Sequence, residues 1–417
     1  MRPGRPGGRS PNRRRSSRSR ARPFPPGGRR VTDEIRARRT DDLRADRPRR
    51  TSVSERPACL ETEVSALDTP ITPTDRHFIR NHFDVPEVDA AAHRLSIEGL
   101  VERPARYRIA ELEAMPQRTI VVTMECAGNG RTSLYPPARG VRWGDGAVGT
   151  AEWTGVPLAA LLRRARPDRS VRELVLEGAD SGHEPEVAER VAYAMSLPKA
   201  KALAPETLIA LRMNGEPLRP EHGAPVRAIV PGYYGMAAVK WLRTVRAVAE
   251  PFDGFFRSRA YTFVPEGHPP DVPGRPVLGL RVKSLITEPA AGTTVPPGPL
   301  RVRGVAWTGA GRVTEVEVRC AGGDRGGVPG SWVPAKLGPS LGPFAWRRWE
   351  ATVELPGPGH RLLRARARDS EGNDQPLRAD WNLRGVENHA VHVVPIVVRP
   401  GGEPPSPGRR ARPRRTR

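Results

Sequence analysis

Apolar positions follow two different rhythms along this chain. Between about residues 70 and 255 they come as short runs and mixed periods. "HRLSIEGLV" (93–101), "RTIVVTMEC" (118–126), "VRELVLEGAD" (171–180), "APVRAIVPG" (224–232) and "AVKWLRTVRAVAE" (238–250) are short, β-branched and bounded by turn residues, which predicts strands. "RYRIAELEAM" (106–115) predicts a strand leading into a short helix, and "PLAALLRRA" (157–165) opens with proline and carries a leucine face, which predicts a helix. In "ETLIALRMNGEPL" (206–218), Asn214-Gly215 separates two extended segments, a strong hairpin signal. Strands and short helices mix without a regular βαβ beat, so the fold class is α+β.

Past the Pro/Gly-rich stretch "FVPEGHPPDVPGRP" (263–276) the period becomes two. "LGLRVKSLITEP", "LRVRGVAWTG", "VTEVEVRCAG", "RRWEATVELP", "HRLLRARARDSEGN" and "ENHAVHVVPIVV" alternate between turn signals, which predicts an all-β sandwich. The expected organisation is a tail over 1–66, an α+β domain over 67–262, a linker over 263–275, a sandwich over 276–400 and a second tail over 401–417.

Charge supports the tails and changes little else. The 417 residues carry a net charge of +23, but residues 1–56 alone hold 19 arginines against 6 acids. Both ends lack an apolar periodic face, so neither buries enough surface to offset the entropy of ordering, and both are expected to be disordered. An arm for nucleic acid or another polyanion is one reading of them; a solvated extension is the other, favoured because no aromatic or folded recognition module accompanies the arginines. No apolar segment follows the early arginine pairs, as export would require, and no run is long enough to span a bilayer, so a cytoplasmic location is the default expectation.

Cys59, Cys126 and Cys320 form neither a disulfide framework nor a CxxC clamp. Cys126 stands at a strand end, followed by the turn Ala127-Gly128-Asn129-Gly130 and by Arg131. A small buried filler is one reading. A thiolate stabilised by the nearby cation is the other, acting as nucleophile or metal ligand; the lack of a nearby Asn/Asp–His pattern favours the metal.

Four stretches then make the sequence recognisable: "HFIRNHFDVP" (77–86), "ECAGNGR" (125–131), "HGAPVRAIVPGYYGMAAVKWL" (222–242) and "ADWNLRGVENHAVHVV" (379–394). In this order and spacing they closely resemble the sulfite oxidase family of molybdenum enzymes over about residues 70–400. The resemblance is to bacterial-type members, because the segment before residue 70 is Arg/Pro-rich rather than a cytochrome b5-like haem module. It implies a molybdopterin-binding domain followed by an immunoglobulin-like dimerisation domain, hence a homodimer. The implied cofactor is molybdenum-molybdopterin, with Cys126 as the metal's thiolate ligand, a soft donor suited to a metal already held by the pterin's sulfurs. Arg80, Asn81, His82, His222, Arg227 and Lys240 match positions that touch the pterin or its phosphate, where cations and imidazoles suit an anionic group.

The resemblance further implies that Arg80, Arg131 and Arg384 converge on an oxyanion, with Tyr193 and Trp143 as aromatic neighbours and Arg139 standing where animal members have lysine. Three guanidiniums around one centre repel unless an anion lies between them, which points to sulfite as substrate and oxygen-atom transfer as reaction. Electrons are expected to pass to an external acceptor such as a cytochrome. The alternatives are a nitrate reductase or methionine-sulfoxide reductase of the same superfamily, and a polyanion-binding protein with a silent core. The arginine set and the sandwich disfavour the two reductases; retention of the expected metal and oxyanion positions disfavours the silent core.

Overall fold

The computed structural model describes residues 50–269, 272–322, 330–355 and 357–399. Strand dominates. The α-helices among the described residues are short, Ile109–Glu113, Leu158–Ala165 and Lys199–Ala202, so the α+β expectation holds only in the sense that a few helices decorate sheets. Leu158–Ala165 forms where predicted, and Leu158, Leu161, Leu162 and Ala165 bury its apolar face. No helix among the described residues is long and apolar enough to cross a membrane.

The first half is built on two five-stranded sheets. One joins Arg118–Glu125, Val148–Pro157 and Leu208–Met213, with Glu216–Pro217 and Arg227–Ile229 both pairing with Leu208–Met213. The predicted hairpin is there: Asn214 and Gly215 adopt φ of 52° and 82°, the left-handed pair that a two-residue turn between twisted strands requires. The other sheet runs Ala105–Arg108, Arg94–Gly99, Leu242–Val248, Glu173–His183 and Arg190–Pro198 in spatial order.

Order begins earlier than the composition suggests. Arg50–Ser54 pairs with Cys59–Thr62, which pairs with Ile79–Arg80 in register Cys59↔Arg80. The expected tail therefore does not extend through residues 50–66. The apolar side chains that hold this segment are few and scattered, Cys59, Ala66 and Leu67 being buried, so no apolar period marks its strands in the sequence. The rest of that tail, residues 1–49, and the tail at 401–417 lie outside the described residues.

The Pro/Gly-rich stretch is closed at its base, where Thr262–Phe263 pairs with Arg275–Pro276. Beyond it, a four-stranded sheet containing Lys283–Glu288, Gly298–Trp307 and Arg347–Leu355 faces a five-stranded sheet containing Val313–Gly322, Gly359–Asp369 and His392–Val398. Val302, Val316, Trp349, Leu363 and Ile396 fill the space between them. Arg347–Leu355 alternates as read, with Trp349, Ala351, Val353 and Leu355 inward. Lys283–Glu288 does not: its first five residues are all buried. One face belongs to the sandwich core; the other lies against the first half, whose apolar cluster continues into Leu285, Val305, Trp307 and Trp346.

Candidate active site

A cavity opens where the two five-stranded sheets of the first half and the Ile79–Arg80 strand meet. Arg80, His82, Cys126, Tyr193, His222, Arg227 and Lys240, all singled out in the sequence, line it, together with His77, Met124, Asp180 and Tyr261. Strand Arg118–Glu125 ends at the cavity and delivers Cys126, whose backbone N–H donates to the Ala147 carbonyl. The turn that follows is held by side chains: Asn129 accepts from the Ala147 N–H at 3.0 Å and donates to Glu125 at 3.0 Å.

Charge in the cavity is lopsided. Arg227 is a buried cation and Arg80 and Lys240 are half-buried ones, against the buried carboxylate of Asp180 and the half-buried Glu221 among the lining residues. Burial pushes the Asp180 carboxyl up to about 6, which weakens its countercharge. Lys240 donates to the Asn81 side-chain oxygen and to the Glu221 carbonyl, and burial followed by the field of Arg227 holds its ammonium well below the usual lysine range. Arg227 donates to the carbonyls of His222 and Ala238, each at 2.9 Å, and burial lowers it to about 9. Asn81 Nδ2, His77 Nε2 and Asp180 Oδ1 are buried without a hydrogen-bond partner. Unpaired buried polar atoms around concentrated positive charge describe a site that takes a polar, anionic occupant.

That donor set suits a pterin-bound metal. Among the described residues there is no group of three or more His, Cys, Asp or Glu placed to hold an ion. Cys126 is the one cysteine among the residues lining the cavity, and a metal held by it would arrive with other donors already attached. The Cys126 thiol also corrects the thiolate expectation. Burial raises its pKa, outweighing the opposing fields of Arg80 and Arg131, so nearby cations alone do not ionise it. Coordination would do so, since a bound metal removes the thiol proton.

The expected convergence of three arginines is not what the structure shows: of Arg80, Arg131 and Arg384 only Arg80 lines the cavity, and the other two guanidiniums have partners of their own. Arg80 faces the cavity, donating to His82 at 3.1 Å, to the Asn81 carbonyl and, at 3.8 Å, to Cys59 Sγ. Arg131 is buried and taken up by carbonyls: Nε and Nη2 donate to Arg384 at 3.1 and 2.9 Å, and Nη1 to Val141 at 2.6 Å. Its guanidinium lies against Gly128, where a Cβ would approach Nη2 to 2.4 Å; this explains the glycine. Arg384 turns to a carboxylate the sequence reading did not weigh, Glu186, with Nη1–Oε1 and Nη2–Oε2 distances of 2.7 and 2.8 Å. The expectation of mutual repulsion relieved only by substrate fails, because protein carbonyls and Glu186 already satisfy two of the three.

Trp143 is fully buried in the apolar cluster containing Cys126, and Arg139 is exposed; neither lines the cavity. Tyr193 does, but its hydroxyl donates to the Met236 carbonyl at 2.9 Å. The phenol whose oxygen sits among the charges is Tyr261, 2.5 Å from His82 Nε2, in the fields of Arg80, Cys126 and Arg131. Burial pushes Tyr261 up to about 12, so Oη keeps its proton at neutral pH. Nothing in "FFRSRAY" at the end of the first half marks that tyrosine. His77 heads one of the recognisable stretches, and Asp180 follows the alternation of its strand, yet neither stood out as a site residue.

The histidines set an acid limit on stability. Burial depresses His77 to about 4 and holds His82 and His222 well below the usual histidine value. The unfolded chain takes up protons below about pH 6.5 that the folded chain refuses, so stability falls as pH drops through that value. Asp180 opposes this, its raised carboxyl accepting a proton in the folded state first. Three histidines outweigh one carboxyl, and metal-free protein should lose about 2–3 kcal/mol per pH unit near pH 5.5. Urea midpoints at pH 7 and 5.5 check this; an unchanged or higher midpoint at the lower pH contradicts it.

Two family descriptions divide the chain between them: an oxidoreductase molybdopterin binding domain matches residues 82–256, and a Mo-co oxidoreductase dimerisation domain matches 275–399. The sulfite oxidase of Arabidopsis thaliana is 31% identical over 372 residues, which cover 82% of this chain and 92% of that protein. The chain belongs to the sulfite oxidase family. The mitochondrial sulfite oxidase of Rattus norvegicus is 34% identical over 371 residues, 83% of this chain and 65% of the relative, so the chain spans just under two thirds of that longer protein. Among solved structures, the sulfane dehydrogenase SoxCD of Paracoccus pantotrophus superposes with a TM-score of 0.71 at 29% identity, covering 85% of this chain and 91% of that one. Membership in this family of molybdenum-cofactor oxidoreductases agrees with the donor set of the cavity: one thiol, and cations where an anionic pterin would lie.

Proposed function

We propose that the protein oxidises sulfite to sulfate. The observation that carries this reading is the single thiol of Cys126 in a buried cationic cavity, within a chain of the sulfite oxidase family. Sulfite and water give sulfate, two protons and two electrons, and the electrons leave to an external acceptor such as a cytochrome. When bound, the molybdenum cofactor supplies the oxygen-atom transfer and the two-electron chemistry.

The chain's own residues bind, orient and hold protons. Cys126 Sγ would hold the metal. Asn81, His222, Arg227 and Lys240 would hold the anionic pterin and its phosphate, Asn81 Nδ2 being a buried donor with no partner of its own. Arg80 carries the cationic charge that draws a small oxyanion to the cavity. Tyr261 Oη keeps a proton and shares it with His82 Nε2. Arg131 ties the turn after Cys126 to the Arg384–Gly385 backbone, closing the site with the second half of the chain. Trp143 is a packing residue behind Cys126, and Arg139 adds positive charge outside the cavity. In the same reading, residues 276–400 form an immunoglobulin-like sandwich through which two copies associate, separated from the catalytic domain at 263–275.

Metal analysis of purified protein coupled to a sulfite-dependent ferricyanide assay tests this. One molybdenum per chain with sulfite-dependent reduction is expected. A molybdenum-loaded protein that ignores sulfite overturns the substrate assignment.

A further inference from the structure

We propose that Glu186 is an internal competitor for the substrate: its carboxylate occupies the Arg384 guanidinium, and an incoming oxyanion has to displace it. The proposal rests on the oxyanion reading of the site. It starts from a geometric match. A carboxylate and a sulfur oxyanion each offer two oxygens to the parallel N–H pair of a guanidinium. In the structure both Nη atoms of Arg384 are engaged this way by Glu186, at 2.7 and 2.8 Å.

The contact is placed to be displaceable. Glu186 sits between strands Glu173–His183 and Arg190–Pro198, on a connection whose base is fixed by Arg190 donating to the Ser181 hydroxyl at 3.0 Å and carbonyl at 2.8 Å. Gly182 packs so closely on Phe83 that a Cβ there would approach the ring to 2.1 Å. The base is fixed and the tip carries the acids. The side chains of Arg384 and Glu186 remain 23% and 43% exposed, so water and solute ions reach the pair. Such a pair is weaker than a buried one and exchanges partners at modest cost. Glu184, on the same tip, lies in the fields of Arg80 and Arg384, so the tip bears on the cavity's own arginine as well. Arg384 also has a fixed anchor: its carbonyl accepts from Arg131, leaving its side chain free to change partner.

Holoenzyme carrying Glu186→Gln tests this, with Glu189→Gln on the same tip as the control. Two readouts are taken: KM for sulfite, and the sulfate concentration that half-saturates the rise in melting temperature. Competition predicts that both fall in E186Q, by about threefold to tenfold, with kcat changing less than KM, and that E189Q matches the wild type. If both constants rise, Glu186 orients Arg384 for substrate and the competitor reading is overturned. Unchanged constants overturn it too. Should the wild type not oxidise sulfite, the function assignment fails by itself, and the sulfate titration still decides whether Glu186 competes for Arg384.

Discussion

Cys126→Ser is expected to abolish sulfite oxidation, by about a thousandfold or more, which corresponds to at least about 4 kcal/mol of lost transition-state stabilisation. The fold should survive. The thiol is neutral in metal-free protein because burial raises its pKa, so serine replaces one neutral group with another of similar size, at about 1–3 kcal/mol for burying a hydroxyl. Its backbone bond to Ala147 does not involve the side chain. Circular dichroism and a melting curve separate loss of chemistry from loss of structure. Cys320→Ser is the control: that cysteine is buried in the second half, within the sandwich core, and turnover should persist. A serine variant at 126 that still oxidises sulfite would mean the metal is held some other way.

Lys283→Met should be the most destabilising single change outside the cavity. Lys283 and Glu125 pair at 3.2 Å with side chains only 3% and 2% exposed. Glu125 also accepts from Trp307 at 2.9 Å and Asn129 at 3.0 Å, while Lys283 donates to the Asn388 carbonyl at 2.9 Å. Removing the ammonium leaves a buried carboxylate without its countercharge, at a cost of about 3–5 kcal/mol. Asp145, 3.8 Å from the same nitrogen, would lose that contact while keeping His392 at 3.7 Å. Denaturant midpoints report the loss, and Glu125→Gln combined with Lys283→Met should recover most of it because no buried charge is then stranded. A double variant no more stable than the single one would place the defect in packing.

Much of this architecture was legible because it rests on local chemistry. The change of period after residue 276 follows from side chains alternating across a two-sheet core, and Asn214-Gly215 reads as a turn because few other residues accept that backbone. The strand ending at Cys126 is a run of β-branched residues with a glycine-containing turn behind it. Partnerships between distant segments leave no such trace. Glu186 meets Arg384 across 198 residues of chain, and Tyr261 meets His82 across 179; neither contact has a periodicity or a motif. Lys283 looks like one polar residue in an alternating strand until the other half of the protein covers that face. The thiol misled for a related reason: a neighbouring arginine is visible in the sequence, whereas the burial that opposes its effect is not.

Glu125 is adjacent in sequence to Cys126, yet its partners Lys283 and Trp307 come from the other side of the Pro/Gly-rich stretch. Neither portion can be exchanged for a homologous one without also carrying over the matching partner for that carboxylate. Over evolutionary time positions 125 and 283 would have to drift in step, and recombination at the apparent seam between the halves would tend to yield chimeras that fail at the very peptide leading into Cys126.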